Sequence, residues 1–235
     1  MGSCQGMATG IHSAGMAVTE AVAELRGVGV RFGRMSVLTA VDLAVGPGEV
    51  VGIAGPNGSG KTTLLRILAT LTRPTVGSAR VLGSIVGTDP LTETRRHVAL
   101  LGHQPALWGE LTLLENLSFV ARLSGIGTER VRDILHQVGL GGAMGRSADH
   151  SSHGMQRRVE FARALLTRPS LLLLDEAHAG LDRAAQAIVE TTVADVRDRG
   201  GGVVLVSHEP DRMLPLVDFT YVLEGGALVA ERGLA

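Results

Sequence analysis

Eight consecutive residues near position 60 have the composition of a phosphate-binding loop. Glycines let successive backbone N–H groups converge on phosphate oxygens, and a lysine at the end of the loop can reach the β- and γ-phosphates of a nucleoside triphosphate. A hydroxyl that follows the lysine can bind Mg²⁺. The pattern G-x-x-x-x-G-K-[ST] is met by Gly55, Pro56, Asn57, Gly58, Ser59, Gly60, Lys61 and Thr62, and Thr63 completes the predicted nucleotide-binding set. The loop therefore predicts a site for ATP or a similar nucleotide.

Lys61 is the only lysine in a chain whose lysines and arginines together number 22. A guanidinium is forked and bulkier than an ammonium, so the cation that this chain otherwise uses would not fit the loop. At about 4 Å and an effective dielectric constant of about 20, the attraction between one ammonium and one phosphate charge is about 4 kcal/mol before desolvation. The position of the single lysine supports the prediction of a phosphate site.

A second group of reactive residues ends the apolar run 171–176, which reads LLLLDE. Ligands of open α/β folds bind at the carboxyl edge of the sheet, where such a strand would place both acids. We expect Asp175 to hold Mg²⁺ through its water shell. Glu176 would orient or deprotonate an attacking water, a role worth about 10²–10⁴ in rate.

The segments around these residues predict an α/β fold. Continuous apolar runs bounded by turns are typical of parallel strands buried on both faces, and they occur at 49–55, 171–176 and 202–208. Shorter strand patterns at 23–32, 37–45 and 78–86 favour a mostly antiparallel sheet near the N-terminus. Helical patterns occupy 60–71, 111–125, 128–140, 153–167 and 183–199. Strands that alternate with helices favour right-handed crossovers.

Composition limits the class of protein. The formal net charge of -1 argues against a partner bound through nucleic-acid phosphates. No stretch approaches the roughly 18 consecutive apolar residues of a membrane-spanning helix. Cys4, the single cysteine, allows no internal disulfide.

We predict a leader over 1–21 and one domain over 22–235. A helical subdomain is inserted in this domain at about 105–165, and the insertion itself occupies about 105–150.

The two motifs and their order resemble the ATP-binding cassette family, the nucleotide-binding subunits of ABC transporters. The resemblance implies a P-loop NTPase cassette with a RecA-like parallel-sheet core, an N-terminal antiparallel β subdomain and a helical insertion. Phe32 stands where the family stacks an aromatic ring on adenine, and Gln104 fits the glutamine loop that contacts Mg²⁺. Ser152 and Gly154 match the signature motif, although Ser151, His153 and Met155 depart from L-S-G-G-Q. Asp182 would link the two sites of a dimer, and His208 fits the switch histidine that contacts the γ-phosphate.

The resemblance also implies partners. Each ATP would lie between the loop of one subunit and the signature of another, in a homodimer or a heterodimer. A transmembrane permease subunit would hold the pair at the cytoplasmic face of the membrane. Trp108 would contact that subunit or serve as a buried anchor.

The resemblance leaves the cargo open. The run LGHQPALWGELTLLENLSF (101–119) is similar to the haem-exporter ATPase of cytochrome c maturation. A drug, lipid or polysaccharide exporter, an importer and a non-transport cassette such as an iron–sulfur assembly factor are the alternatives. The single cassette, with 91 positions between Lys61 and Ser152, disfavours the soluble members of the superfamily that act in DNA repair, chromosome organisation or translation.

Overall fold

The computed structural model describes residues 20–176, 183–208 and 213–231. Its elements follow the chain in the order β1 (Ala23–Phe32), β2 (Met35–Val45), β3 (Val50–Ala54), α1 (Lys61–Leu68), β4 (Val76–Val81), β5 (Ser84–Ile85), α2 (Thr92–Arg96), β6 (Val98–Leu101), α3 (Leu113–Leu123), α4 (Val131–Gln137), a 3₁₀ turn (Gly141–Ala143), α5 (His153–Thr167), β7 (Leu171–Asp175), α6 (Arg183–Asp198), β8 (Gly202–Ser207), β9 (Phe219–Glu224) and β10 (Ala227–Glu231).

Two sheets organise this part of the chain. The smaller sheet has the order β2-β1-β4-β5 and is antiparallel throughout. The larger sheet has the order β10-β9-β3-β8-β7-β6, and all its pairs are parallel except β9 with β10. The α/β cassette predicted from the sequence, with an antiparallel β subdomain and a parallel-sheet core, is therefore confirmed.

The central strands of the larger sheet are apolar because both of their faces are covered. Every residue of β3, β7 and β8 is buried. Along β7, Leu171 and Leu173 pack with α1 and the antiparallel sheet, whereas Leu172 and Leu174 pack with α6 on the other face. This sandwich fixes the carboxyl ends of β3, β7 and β8 at one edge.

A separate helical lobe is formed by α3, α4 and part of α5 around its own apolar core. Helix α3 begins with a capping box, in which the Thr112 hydroxyl accepts from the amide of Glu115 and the Glu115 side chain accepts from the amide of Thr112. Helix α5 joins the lobe to the sheet, because Val159 packs in the lobe while Phe161 packs against β7.

Four elements were not predicted from the sequence, namely α2, β6, β9 and β10. The strand β6 is short, and α2 is a single turn of helix. The hairpin β9–β10 turns through Gly225 and Gly226, both at positive φ, which is the signal of a two-residue hairpin.

Within the described ranges, no helix is both long and apolar enough to cross a bilayer. Most of the predicted leader lies outside the described residues.

Candidate nucleotide-binding site

The phosphate-binding loop connects the buried end of β3 to the start of α1. Gly60 is the N-cap residue, with φ of 108°. A Cβ on Gly55 would lie 2.3 Å from the carbonyl oxygen of Leu223 on β9, and one on Gly60 would lie 2.8 Å from Cδ2 of Leu38. Only glycine fits at these two positions, because any side chain would push the loop off the strands that support it.

Lys61 turns back over the loop from the first position of α1. Its ammonium donates hydrogen bonds to the carbonyl oxygens of Gly55 at 2.7 Å and Pro56 at 2.9 Å. The residue is 6% exposed. Burial lowers the pKa of Lys61, and the carboxylates of Glu176 and Asp175 oppose that decrease. The ammonium thus lies over the loop with two acids close enough to affect its charge.

Thr62 joins the loop to the carboxyl end of β7. Its hydroxyl donates a hydrogen bond to Oδ2 of Asp175 at 2.9 Å. Burial raises the pKa of Asp175, while the hydrogen bond from Thr62 favours the charged form. A hydroxyl and a partly desolvated carboxylate in contact fit the preference of Mg²⁺ for hard oxygen ligands. Thr62 and Asp175 are therefore the residues that would hold the ion.

Glu176 lies between two imidazoles. Its Oε1 is 2.9 Å from Nδ1 of His208, and its Oε2 is 3.9 Å from Nδ1 of His103. The backbone of Glu176 has φ of 53°, a conformation that costs a non-glycine residue about 1–3 kcal/mol. Its amide donates to the carbonyl oxygen of Val206 on β8, which helps to fix this strained position.

The loop and the two acids enclose a cavity of about 310 Å³. It is lined by Asn57, Gly58, Gly60, Lys61, Thr62, Thr63, His103, Asp175 and Glu176. Ser59 contributes a buried hydroxyl that makes no hydrogen bond within the described residues. The residues assigned from the two motifs thus converge on one site, and His103, to which the sequence analysis gives no role, belongs to its lining.

Other predicted residues lie outside this cavity. Phe32 is 56% exposed at the end of β1, on a hairpin whose second strand contacts Gly60 through Val37 and Leu38. Gln104 is exposed, next to His103. Asp182 lies outside the described residues. The roles assigned to these three stay predictions.

The predicted signature residues form the exposed N-terminus of α5. Ser152 is the N-cap, and its hydroxyl accepts a hydrogen bond from the amide of Met155 at 3.3 Å. Ser151, where the family has Leu, donates instead to the carbonyl oxygen of Ser147 at 2.8 Å. A Cβ on Gly154 would meet nothing within 4 Å. This end of the helix leaves space above it, as a site for a partner's nucleotide requires.

An apolar groove lies between the glutamine-loop segment and the helical lobe. Its volume is about 490 Å³. Trp108 is 50% exposed there, and its ring packs edge-to-face on Phe119 with centroids 4.6 Å apart. Leu123, on the groove wall, is 66% exposed. Trp108 therefore lines the groove as a half-exposed residue.

The chain is similar in sequence to known ATP-binding proteins. A family model described as ABC transporter matches residues 38–179. The daunorubicin/doxorubicin resistance ATP-binding protein of Streptomyces peucetius is 38% identical over 195 residues, covering 81% of this chain and 59% of the relative. An Fe(3+) ions import ATP-binding protein of Brucella abortus is 37% identical over 208 residues, covering 86% and 58%. The chain thus spans less than two thirds of the length of these two relatives.

Solved structures share the whole fold. One described as the ATP-binding subunit of an ABC transporter has a TM-score of 0.84 at 28% identity, covering 91% of this chain and 90% of that chain. Another, an ATP-binding cassette in a dimeric post-hydrolysis state with ADP and Pi, has a TM-score of 0.80 at 26% identity, covering 90% and 100%.

Proposed function

Because this chain belongs to the ABC transporter family and carries its ATPase domain, we propose that it dimerises, hydrolyses ATP and powers a membrane transporter. The observation that carries the proposal is the single cavity in which Lys61, Thr62, Asp175 and Glu176 line the walls. A compact cation, a hydroxyl and two acids around one space are the groups that triphosphate cleavage requires.

The described side chains have distinct roles in this proposal. Lys61 and the loop amides would bind the β- and γ-phosphates, with the N-terminus of α1 adding favourable partial charge. Bound Mg²⁺ would supply charge neutralisation at the phosphates. Glu176 would orient water and accept its proton. His208 is hydrogen-bonded to Glu176 and would keep that carboxylate aimed at the γ-phosphate.

Dimerisation is supported by where the signature residues lie. Ser152 and Gly154 are exposed and do not line the cavity that contains Lys61. The N-terminus of α5 attracts anions, so it is suited to the γ-phosphate held by a second copy or by a related subunit. A cassette of the same fold forms a dimer in a post-hydrolysis state with ADP and Pi, which supports a dimer here.

Gly154→Asp tests this arrangement without disturbing the chain's own contacts. A Cβ at this position meets no atom within 4 Å, and the added carboxylate places a negative charge where the partner's phosphate would bind. We expect ATP binding by the monomer to persist, whereas ATP-dependent dimerisation and turnover fall by about tenfold or more. Light scattering with Mg-ATP and a phosphate-release assay measure these two effects.

Gly142→Asp is the matched control, because a Cβ there also meets nothing within 4 Å and the residue belongs to the helical lobe. Normal dimerisation and turnover in Gly154→Asp would remove this residue from the assigned site.

The groove beside Trp108 is the proposed docking site for a helix of a transmembrane permease. Trp108, Phe119 and Leu123 present half-exposed apolar surface, the kind that accepts the apolar face of an amphipathic helix. In this arrangement the cassette lies at the cytoplasmic face of the membrane, held there by its partner.

Leu123→Glu is expected to weaken association with the membrane subunit by about tenfold or more, because it buries an unpaired charge in the interface. Basal ATP turnover should stay unchanged, since Leu123 does not line the nucleotide cavity. Leu71→Glu is the control, as Leu71 is 55% exposed and lies outside the groove. Co-purification from detergent-solubilised membranes measures the effect. An equal loss of association in both variants would contradict the docking site. If the wild-type chain hydrolyses ATP but co-purifies with no membrane protein, the non-transport alternative is favoured.

Haem export is the finer proposal for cargo. The segment 101–119, on which the resemblance to the haem-exporter ATPase rests, contains Trp108, which lines the groove, and Phe119, which packs on the Trp108 ring. The similarity therefore falls on the surface that would select a membrane partner. The drug-resistance relative favours a drug exporter as the alternative. Stimulation of ATP turnover by haem or by an anthracycline, in the complex reconstituted in vesicles, separates the two.

A further inference from the structure

Three charged side chains on α5 lie within the protein rather than in solvent. Arg157, Glu160 and Arg163 are spaced three residues apart, so they share one side of the helix. Arg157 is 3% exposed and Glu160 is 1% exposed, and the Arg163 side chain is 25% exposed. We refer to these three residues as the α5 clamp.

The α5 clamp binds backbone on both sides of the glutamine loop. Arg163 donates to the carbonyl oxygen of Leu100 at 3.0 Å, and Arg157 donates to that of Gly102. The backbone amide of Ala106 faces the carboxyl of Glu160 and acts to lower the pKa of that group. These backbone groups bracket positions 103 and 104, which are the cavity-lining His103 and the predicted Mg²⁺ contact Gln104.

Glu160 holds the clamp together electrostatically. Its Oε2 lies 3.3 Å from Nη2 of Arg163, while its Oε1 is buried and makes no hydrogen bond within the described part of the chain. Burial raises the pKa of Glu160, and the charges of Arg163 and Arg157 oppose that rise. A buried acid with an unused oxygen is costly, so this residue needs an explanation beyond helix stability.

We propose that Glu160 is a positioning residue, which through Arg157 and Arg163 fixes the segment 100–106 relative to the signature helix. The segment would carry His103 and Gln104 into the nucleotide cavity at a set distance from Glu176. Arg163 also lines the docking groove, so the same contacts join the groove to the site. The inference rests on the proposed ATPase function.

Glu160→Gln removes the charge and keeps the shape. We expect kcat for ATP hydrolysis to fall about tenfold while KM for ATP changes by less than about twofold, because a small displacement of the loop misplaces reacting groups without removing the phosphate contacts. Amide hydrogen exchange over 100–106 should become faster. Glu93→Gln is the matched control, since Glu93 and Arg96 form an exposed ion pair of the same i,i+3 spacing at 3.5 Å.

The double variant Glu160→Met/Arg163→Met separates positioning from stability. Replacing both partners of a buried pair by apolar side chains is often neutral for folding, whereas removing one partner is destabilising. Arg157 keeps its hydrogen bond to the carbonyl oxygen of Gly102, so we expect this variant to fold and still show low kcat and fast exchange over 100–106. It also serves as the test if Glu160→Gln does not fold.

Wild-type kcat in a stable double variant would overturn the inference, as would unchanged exchange over 100–106 in either variant. If the wild-type chain itself hydrolyses no ATP, the proposed function fails. The exchange measurement then decides the positional role of the clamp alone.

Discussion

Glu176→Gln is expected to abolish ATP turnover, with a decrease of about 10²–10⁴-fold in kcat. Glu176 follows β7 at the edge of the cavity, 2.9 Å from the imidazole of His208. Gln keeps the size of the side chain and a hydrogen bond to His208, but it accepts a water proton poorly. Because Lys61 and Thr62 are unchanged, Mg-ATP should still bind with an affinity within about threefold of the wild-type value.

Retained binding without turnover should trap the ATP-bound dimer. Single-turnover phosphate release and light scattering with Mg-ATP measure the two properties separately. Glu190→Gln on the exposed face of α6 removes the same charge away from the cavity and should behave as wild type. Turnover near the wild-type rate in Glu176→Gln would show that another group activates the water.

The location of the candidate site could be predicted because most of its lining residues lie in short contiguous motifs. A phosphate-binding loop needs fixed residue types at fixed spacing, so the sequence from Gly55 to Thr62 defines it locally. Asp175 and Glu176 end a run of leucines, which made their position at the sheet edge predictable. The contact between Thr62 and Asp175 at 2.9 Å confirms that the two motifs meet.

Features that depend on tertiary contacts were harder to predict. The position of His103 beside Glu176 depends on β6, a four-residue strand that adds to the parallel sheet beside β7. Such a short apolar run has no distinctive period. Likewise, the glycine pair at 225 and 226 gave a hairpin signal that only became evident from the pairing of β9 with β10.

Helix α5 also makes tertiary contacts that its sequence did not predict. Its span was predicted correctly as 153–167, and its exposed N-terminus fits the signature role. A sequence rich in Arg and Glu at this helix would ordinarily indicate a solvated face. Arg157 and Glu160 instead reach backbone groups of a segment about 55 residues earlier in the chain, a contact that helical periodicity does not encode.

Lys61→Met is expected to weaken the binding of Mg-ATP by about 30- to 150-fold, corresponding to about 2–3 kcal/mol for charge-assisted hydrogen bonds to phosphate. Methionine keeps the apolar stem of the side chain and removes the ammonium group of the only lysine in the sequence. The substitution loses the hydrogen bonds to Gly55 and Pro56 but also removes a buried charge, so thermal stability should change little. Isothermal titration calorimetry with Mg-ATP measures the affinity.

Lys61→Arg distinguishes the charge from its geometry. It retains the positive charge, but the forked guanidinium is bulkier than the ammonium that lies against the carbonyl oxygens of Gly55 and Pro56. We therefore expect a loss of affinity comparable to that of the methionine variant. Arg66→Ala, in the last turn of the same helix, should bind as wild type because that side chain is exposed and does not line the cavity. Undiminished affinity in Lys61→Met would mean that the phosphates bind elsewhere.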